Sequence, residues 1–130
     1  MTKEWEQAIL TGNADRVREL LDAGVHINSL DRYGQTGLMQ AAHKGHLAVV
    51  RILVQRNAKL DHTAKLGLSA LMLAVISNQP EIVRLLVQAG ANTQIRGSSR
   101  SSYYAYTARE LAKQMGRIEC FEILRETGIQ

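Results

Sequence analysis

The strongest constraint on this chain is a period. Ala8, Ala41 and Ala74 stand 33 residues apart, as do Val17, Val50 and Val83, and Leu20, Leu53 and Leu86. Gly12, Gly45 and Asn78 keep the same step, and so do Gly24, Asn57 and Gly90. The next matches, Ala112, Gly116, Phe121, Leu124 and Gly128, follow after 38 residues. Four copies of one unit are therefore present, with five extra residues between the third and the fourth. A unit this short cannot bury its apolar side alone, so the copies must stack.

Each copy reads as two short helices. In the second, "TGLMQAAHKG" predicts a helix from Gly37 to Lys44, with Thr36 as N-cap and Gly45 as the stop. Leu38, Ala41 and Ala42 fall at i, i+3 and i+4 and form a narrow face of small side chains. "HLAVVRILVQRN" predicts the second helix. Its Val49, Val50, Ile52, Leu53 and Val54 cover most of the circumference, as a layer packed on both sides requires. Asn57 ends it in the left-handed conformation that the sister copies give to Gly24, Gly90 and Gly128. Pro80 opens the corresponding helix of the third copy, where its missing N–H is harmless. The repeated alanines let first helices approach closely while the bulkier second helices spread, so the stack curves. Trp5 aligns with Leu38 and Leu71 as a core plug, and Cys120 aligns with Val49 and Ile82 as a small buried hydrophobe.

The expected fold is thus all-α: a solenoid of four helix-turn-helix repeats with β-turn or hairpin fingers between them. It reads as a single domain over 1–130, with copies at about 1–30 (an N-terminal cap), 31–63, 64–96 and 97–130 (a C-terminal cap), and an insertion near 97–102. The polar "EWEQ" start and the charged last helix suit solvent-facing caps.

The stretch "DRYGQTGLMQAAHKGHLAVVRILVQRNAKLD" resembles an ankyrin repeat. That family's T-P-L-H-x-A motif is matched by Thr36-Gly37-Leu38-Met39-Gln40-Ala41, by Ser69-Ala70-Leu71-Met72-Leu73-Ala74 and, in worn form, by Thr107-Ala108-Arg109-Glu110-Leu111-Ala112. The family's Gly-His pair stands as Gly45-His46 and decays to Asn78-Gln79, and its turn glycines match Gly34 and Gly67. The family's proline is absent from every copy, and Met39 and Met72 stand where its histidine bonds the turn.

Composition narrows the function. The lone Cys120 excludes an internal disulfide and any multi-cysteine metal site. No apolar run reaches the roughly 20 residues of a membrane span, and "MTKEWEQAIL" is too polar and acidic for a signal peptide. An intracellular, cytoplasmic protein is expected, with the nucleus open. The histidines His26, His43, His46 and His62 form no metal-spaced pair, because Gly45 breaks the helix between His43 and His46. "GSSRSS" lacks the Lys-Ser/Thr ending of a phosphate loop. Neither catalysis, nor a cofactor, nor a small-molecule substrate is expected.

The resemblance implies protein binding through turn tips and the open face of the first helices. Those positions are Arg32, Tyr33, Gln35, His43 and Lys44 in the second copy; Lys65, Leu66, Leu68, Ile76 and Ser77 in the third; and Tyr103, Tyr104, Tyr106, Gln114 and Met115 in the fourth. The first offers Leu10 and Thr11. Apolar residues and tyrosines beside Arg32, Lys44 and Lys65 suit a protein or peptide bearing hydrophobic and acidic residues. The plainer alternative has Leu66, Leu68 and Ile76 packing on neighbouring turns. The net charge of +4 leaves a second class open. Residues 31–65 carry six basic and two acidic groups, enough to draw nucleic acid or an acidic surface. A tethering or homo-oligomerising module is the third class, with a monomer preferred. "RGSSRSSYYAY" lengthens the third finger and offers Arg96–Ser99 as a phosphorylation pattern, with Ser98 to Ser102 as acceptors.

Overall fold

A computed structural model of the protein describes residues 1–98 and 105–127. Eight α-helices make up the described residues, with no strand among them. They pair as α1 (Lys3–Leu10) with α2 (Ala14–Asp22), α3 (Gly37–Lys44) with α4 (Leu47–Gln55), α5 (Ala70–Ile76) with α6 (Pro80–Gln88), and α7 (Ala108–Gln114) with α8 (Ile118–Arg125). The first helices pack in the order α1, α3, α5, α7, and the second helices lie behind them in the order α2, α4, α6, α8. Two parallel layers result.

The first helices start where the sequence provides an oxygen. The N–H groups of Met39, Met72 and Glu110 donate to the hydroxyls of Thr36, Ser69 and Thr107, three residues in one repeat register. In the first copy Thr2 does this for Trp5, one register position early. Each cap of this kind is worth about 1 kcal/mol. The helices stop where the backbone turns left-handed: Gly45 at φ 78°, Asn57 at φ 64° and Gly90 at φ 98°. Pro80 stands at the first position of α6.

The second helices begin differently. His46, Gln79 and Arg117 precede α4, α6 and α8 in the same register, and none caps its own helix. Two of them reach back into the preceding copy instead. His46 Nε2 lies 2.9 Å from the carbonyl of Leu10, and Arg117 donates to the carbonyl of Ile76 at 2.9 Å. Those carbonyls are the unpaired ends of α1 and α5, so each staple satisfies a helix C-terminus across a repeat boundary. Gln79 bonds the carbonyl of Ser77. Lys59 N–H to Asn28 Oδ1 and Asn92 N–H to Asp61 Oδ1 repeat a third link at 33-residue spacing.

The core is continuous through all four copies. Ala8, Ala41, Ala74 and Ala112 are buried together with Val17, Val50, Val83, Leu53, Leu86 and Leu124. Trp5 is fully buried as the first-copy plug and packs beside Gly37, where an added Cβ would stand 3.3 Å from the indole nitrogen. Cys120 is also fully buried, and burial pushes its thiol pKa up, opposed by the charge of Arg117. The inner copies put Leu38, Leu71, Ala42 and Val75 in the core. In the matching registers the fourth copy places Arg109 and Lys113, both exposed. Its outer face is therefore built to meet water.

A charged clamp closes the root of the third finger. Arg96 reaches Glu110 at 3.0 Å and the carbonyl of Ala105 at 3.2 Å. Glu110 also completes a capping box with Thr107. The Thr107 backbone N–H lowers the Glu110 pKa most; partial burial opposes this, and the Thr107 hydroxyl, Arg96 and Arg109 add to the lowering. A lowered folded-state pKa means that the ionised carboxylate stabilises the fold above the ordinary carboxylate range, an advantage lost as pH falls through the lowered value. Glu110→Gln is accordingly expected to reduce the urea midpoint at pH 7, with the difference from wild type shrinking as pH falls below the ordinary carboxylate range.

Candidate functional site

The fingers present the tips. Finger one is a turn in which Gly34 N–H donates to the carbonyl of Asp31 and Asp31 N–H to that of Gln35. The Asp31 carboxylate accepts from the N–H groups of Tyr33 and Gln35 and from the side chain of Gln40. Finger two keeps the same backbone pair, Gly67 to Ala64 and Ala64 to Leu68. Ala64 occupies the register of Asp31 and has no carboxylate to organise the turn. Its backbone takes another path, with Leu66 at φ 67° and ψ 9°.

That difference sorts the tip residues. Arg32 and Tyr33 are exposed, with the guanidinium 4.9 Å from the ring centroid, a cation–π contact. Gln35 is half-buried. Lys65 is exposed and Leu66 is 43% exposed. Leu68 was expected at the open tip, and the structure corrects this: it is only 9% exposed and belongs to the core. Its carbonyl closes the turn on Ala64, and the residue after it, Ser69, already caps α5. Gln35 holds the same backbone position in finger one and is half-buried; Leu68, being apolar, packs into the core layer there.

On the first helices His43, Lys44 and Gln114 are exposed, while Ser77 and Met115 are half-buried. Ile76 is half-buried and rests partly on the core, so only part of it faces outward. Tyr106 likewise lies against the core. Leu10 is half-buried and Thr11 exposed. Tyr103 and Tyr104 lie outside the described residues, as do Ser99, Ser101 and Ser102. Ser98 is half-buried, and its N–H donates to the carbonyl of Leu66 at 2.6 Å.

Charge separates the two sides. Arg16, Arg18, Arg84 and Arg125 pair with Glu19, Asp15, Glu81 and Glu122 within their own second helices, and Arg56 pairs with Asp22. Arg32, Lys44 and Lys65 take part in no ion pair among the described residues. The tips and the ends of the first helices thus carry uncompensated positive charge, while five arginines of or next to the second helices are ion-paired and Arg51 on α4 has no such pair among the described residues. Among the described residues, no cluster of three or more His, Cys, Asp or Glu side chains could hold a metal ion. No described helix is long and apolar enough to cross a membrane.

One surface feature escaped the sequence reading. Ile118, at the start of α8, is 75% exposed and lines a shallow groove of about 440 Å³ with Arg84, Val87, Glu119, Glu122 and Ile123. Its signal was available, since its register holds Leu47 and Pro80 in the preceding copies, but the period alone does not reveal a groove behind it.

A family model described as ankyrin repeats, in three copies, matches residues 5–97. Similar curated proteins carry the name "Ankyrin repeat, SAM and basic leucine zipper domain-containing protein 1". The one from Oryctolagus cuniculus is 42% identical over 50 residues, 38% of this chain and 10% of that protein. The one from Dasypus novemcinctus is 44% identical over 50 residues, with the same coverage. The one from Eulemur macaco macaco is 40% identical over 53 residues, 41% of this chain and 11% of that protein. The matched stretch thus spans about a tenth of the length of these relatives.

Proposed function

The chain belongs to the ankyrin repeat family, and from that premise we propose that it captures a protein or peptide bearing hydrophobic and acidic residues on its finger tips and first-helix face. Ankyrin repeats are general protein–protein interaction modules. The observation that carries the finer reading is the surplus of unpaired cations, Arg32, Lys44 and Lys65, beside the exposed apolar groups of Tyr33 and Leu66. Desolvated apolar contacts supply affinity at such surfaces, and cations at the rim steer an acidic partner and set its orientation. His43, Ile76, Ser77, Gln114 and Met115 extend the same face, and the half-buried Gln35 and Tyr106 border it. The function is non-catalytic, and the setting is intracellular.

Protein purified from cells with wild-type bait and with the Leu66→Asp/Ile76→Asp bait tests this reading. A specific partner, identified by mass spectrometry, is expected with the first and absent with the second. Ile118→Asp, on the back of the molecule, serves as the control and is expected to retain it. Equal recovery with all three baits contradicts the assignment.

A further inference from the structure

Backbone conformation singles out one residue of that surface. Ten described residues have positive φ; seven are glycines and two are the asparagines Asn57 and Asn78. Leu66 is the tenth, at φ 67°. Everywhere else the chain meets a left-handed position with a residue that tolerates it, because a Cβ there crowds the following carbonyl oxygen. A branched side chain at such a position persists only where something else requires it.

The fold does not supply that requirement. The Leu66 side chain is 43% exposed and lies outside the core. What the fold uses at this residue is backbone: its carbonyl accepts from Ser98 N–H, and a Cβ added to the adjoining Gly67 would stand 3.0 Å from that same nitrogen. Glycine or asparagine at position 66 would provide the same carbonyl at lower conformational cost. Arg96, two residues before Ser98, is itself held by Glu110 at 3.0 Å. The result is a partly exposed apolar side chain on a tip whose backbone is bonded to Ser98, next to Lys65, which takes part in no ion pair among the described residues.

We propose that Leu66 is the anchor of the partner contact, kept in a strained conformation because it inserts into an apolar notch of a peptide segment whose acidic groups meet Lys65 and its neighbouring cations. This rests on the surface assigned above and names its central residue. The strain makes an unusual pairing of effects the signature: removing the side chain should relieve the fold and damage binding together.

The test uses the whole chain as bait for a phage-displayed library of random dodecapeptides. Selection is expected to converge on sequences combining Leu, Ile or Phe with Asp or Glu, and a synthetic consensus peptide is then titrated into variants. Leu66→Gly and Leu66→Asn should bind it at least about tenfold more weakly. Leu66→Gly should also melt about 2–4 °C higher than wild type, and Leu66→Asn no lower. Leu66→Met should retain binding. Binding within twofold of wild type in both the glycine and asparagine variants, or a melting temperature lowered by either, overturns the proposal. If those variants bind normally while Lys65→Glu and Ile76→Ser weaken the complex, the anchor is refuted and the surface stands. Convergence on basic peptides, or no convergence, overturns both.

Discussion

Replacing Trp5 by alanine is expected to lower the melting temperature by roughly 10–20 °C. The indole is fully buried at the first-copy position that Leu38 and Leu71 fill in the next two, and it packs beside Gly37 at the start of α3. Truncation removes its buried area and leaves a cavity that rigid neighbours cannot close, a loss of about 3–5 kcal/mol. The indole N–H has no hydrogen-bond partner among the described residues. Leaving such a donor buried costs about 1–3 kcal/mol, so a ring without one recovers part of the lost volume contribution. Trp5→Phe should therefore stay within about 1.5 kcal/mol of wild type. Thermal melts followed by circular dichroism check both variants, and equal losses in the two would show that the pocket is set by ring size alone.

The second large effect concerns binding. Leu66→Asp/Ile76→Asp is expected to weaken the partner complex by about a thousandfold. Each truncated anchor in a desolvated contact is worth about 2 kcal/mol or more, and every 1.4 kcal/mol is tenfold. Ile76 is half-buried against the core, so this variant also loses some stability, and its melting curve must be recorded alongside. Leu66→Asp/Lys65→Glu alters only exposed side chains and separates contact from fold. It should melt close to wild type and still bind about a hundredfold more weakly. Calorimetric titration reads both numbers.

The scaffold was legible because periodicity reports burial. The alanines, valines and leucines that recur at 33 residues are the residues that the structure buries. The start of α3 at Gly37, its cap at Thr36 and its stop at Gly45 follow from side-chain chemistry confined to one turn of chain. The staples from His46 to Leu10 and from Arg117 to Ile76 were less visible. They join different residue types across a repeat boundary, and only the shared register of His46, Gln79 and Arg117 hints at them.

The tips were read less well, for a local reason. Fingers one and two are equivalent by register, yet their turns differ: Asp31 accepts two backbone N–H groups in the first, and Ala64 stands in its place in the second. With the carboxylate present, two N–H groups are collected and Tyr33 keeps an ordinary backbone. In finger two Leu66 is left-handed and Leu68 lies in the core. Side-chain direction in a turn depends on dihedral angles that hydrophobic periodicity does not encode. Position in the repeat therefore indicated where a partner could sit, and turn geometry determined which side chains are offered to it.

The most direct test of the binding face is amide hydrogen exchange on the wild-type chain, alone and saturated with the partner recovered by co-purification. If this face takes the partner, exchange slows in peptides covering Arg32–Gln35, Lys65–Leu68 and Ile76–Ser77, with α2, α4, α6 and α8 unchanged. Protection confined to those second helices, or centred on Ile118, would contradict it.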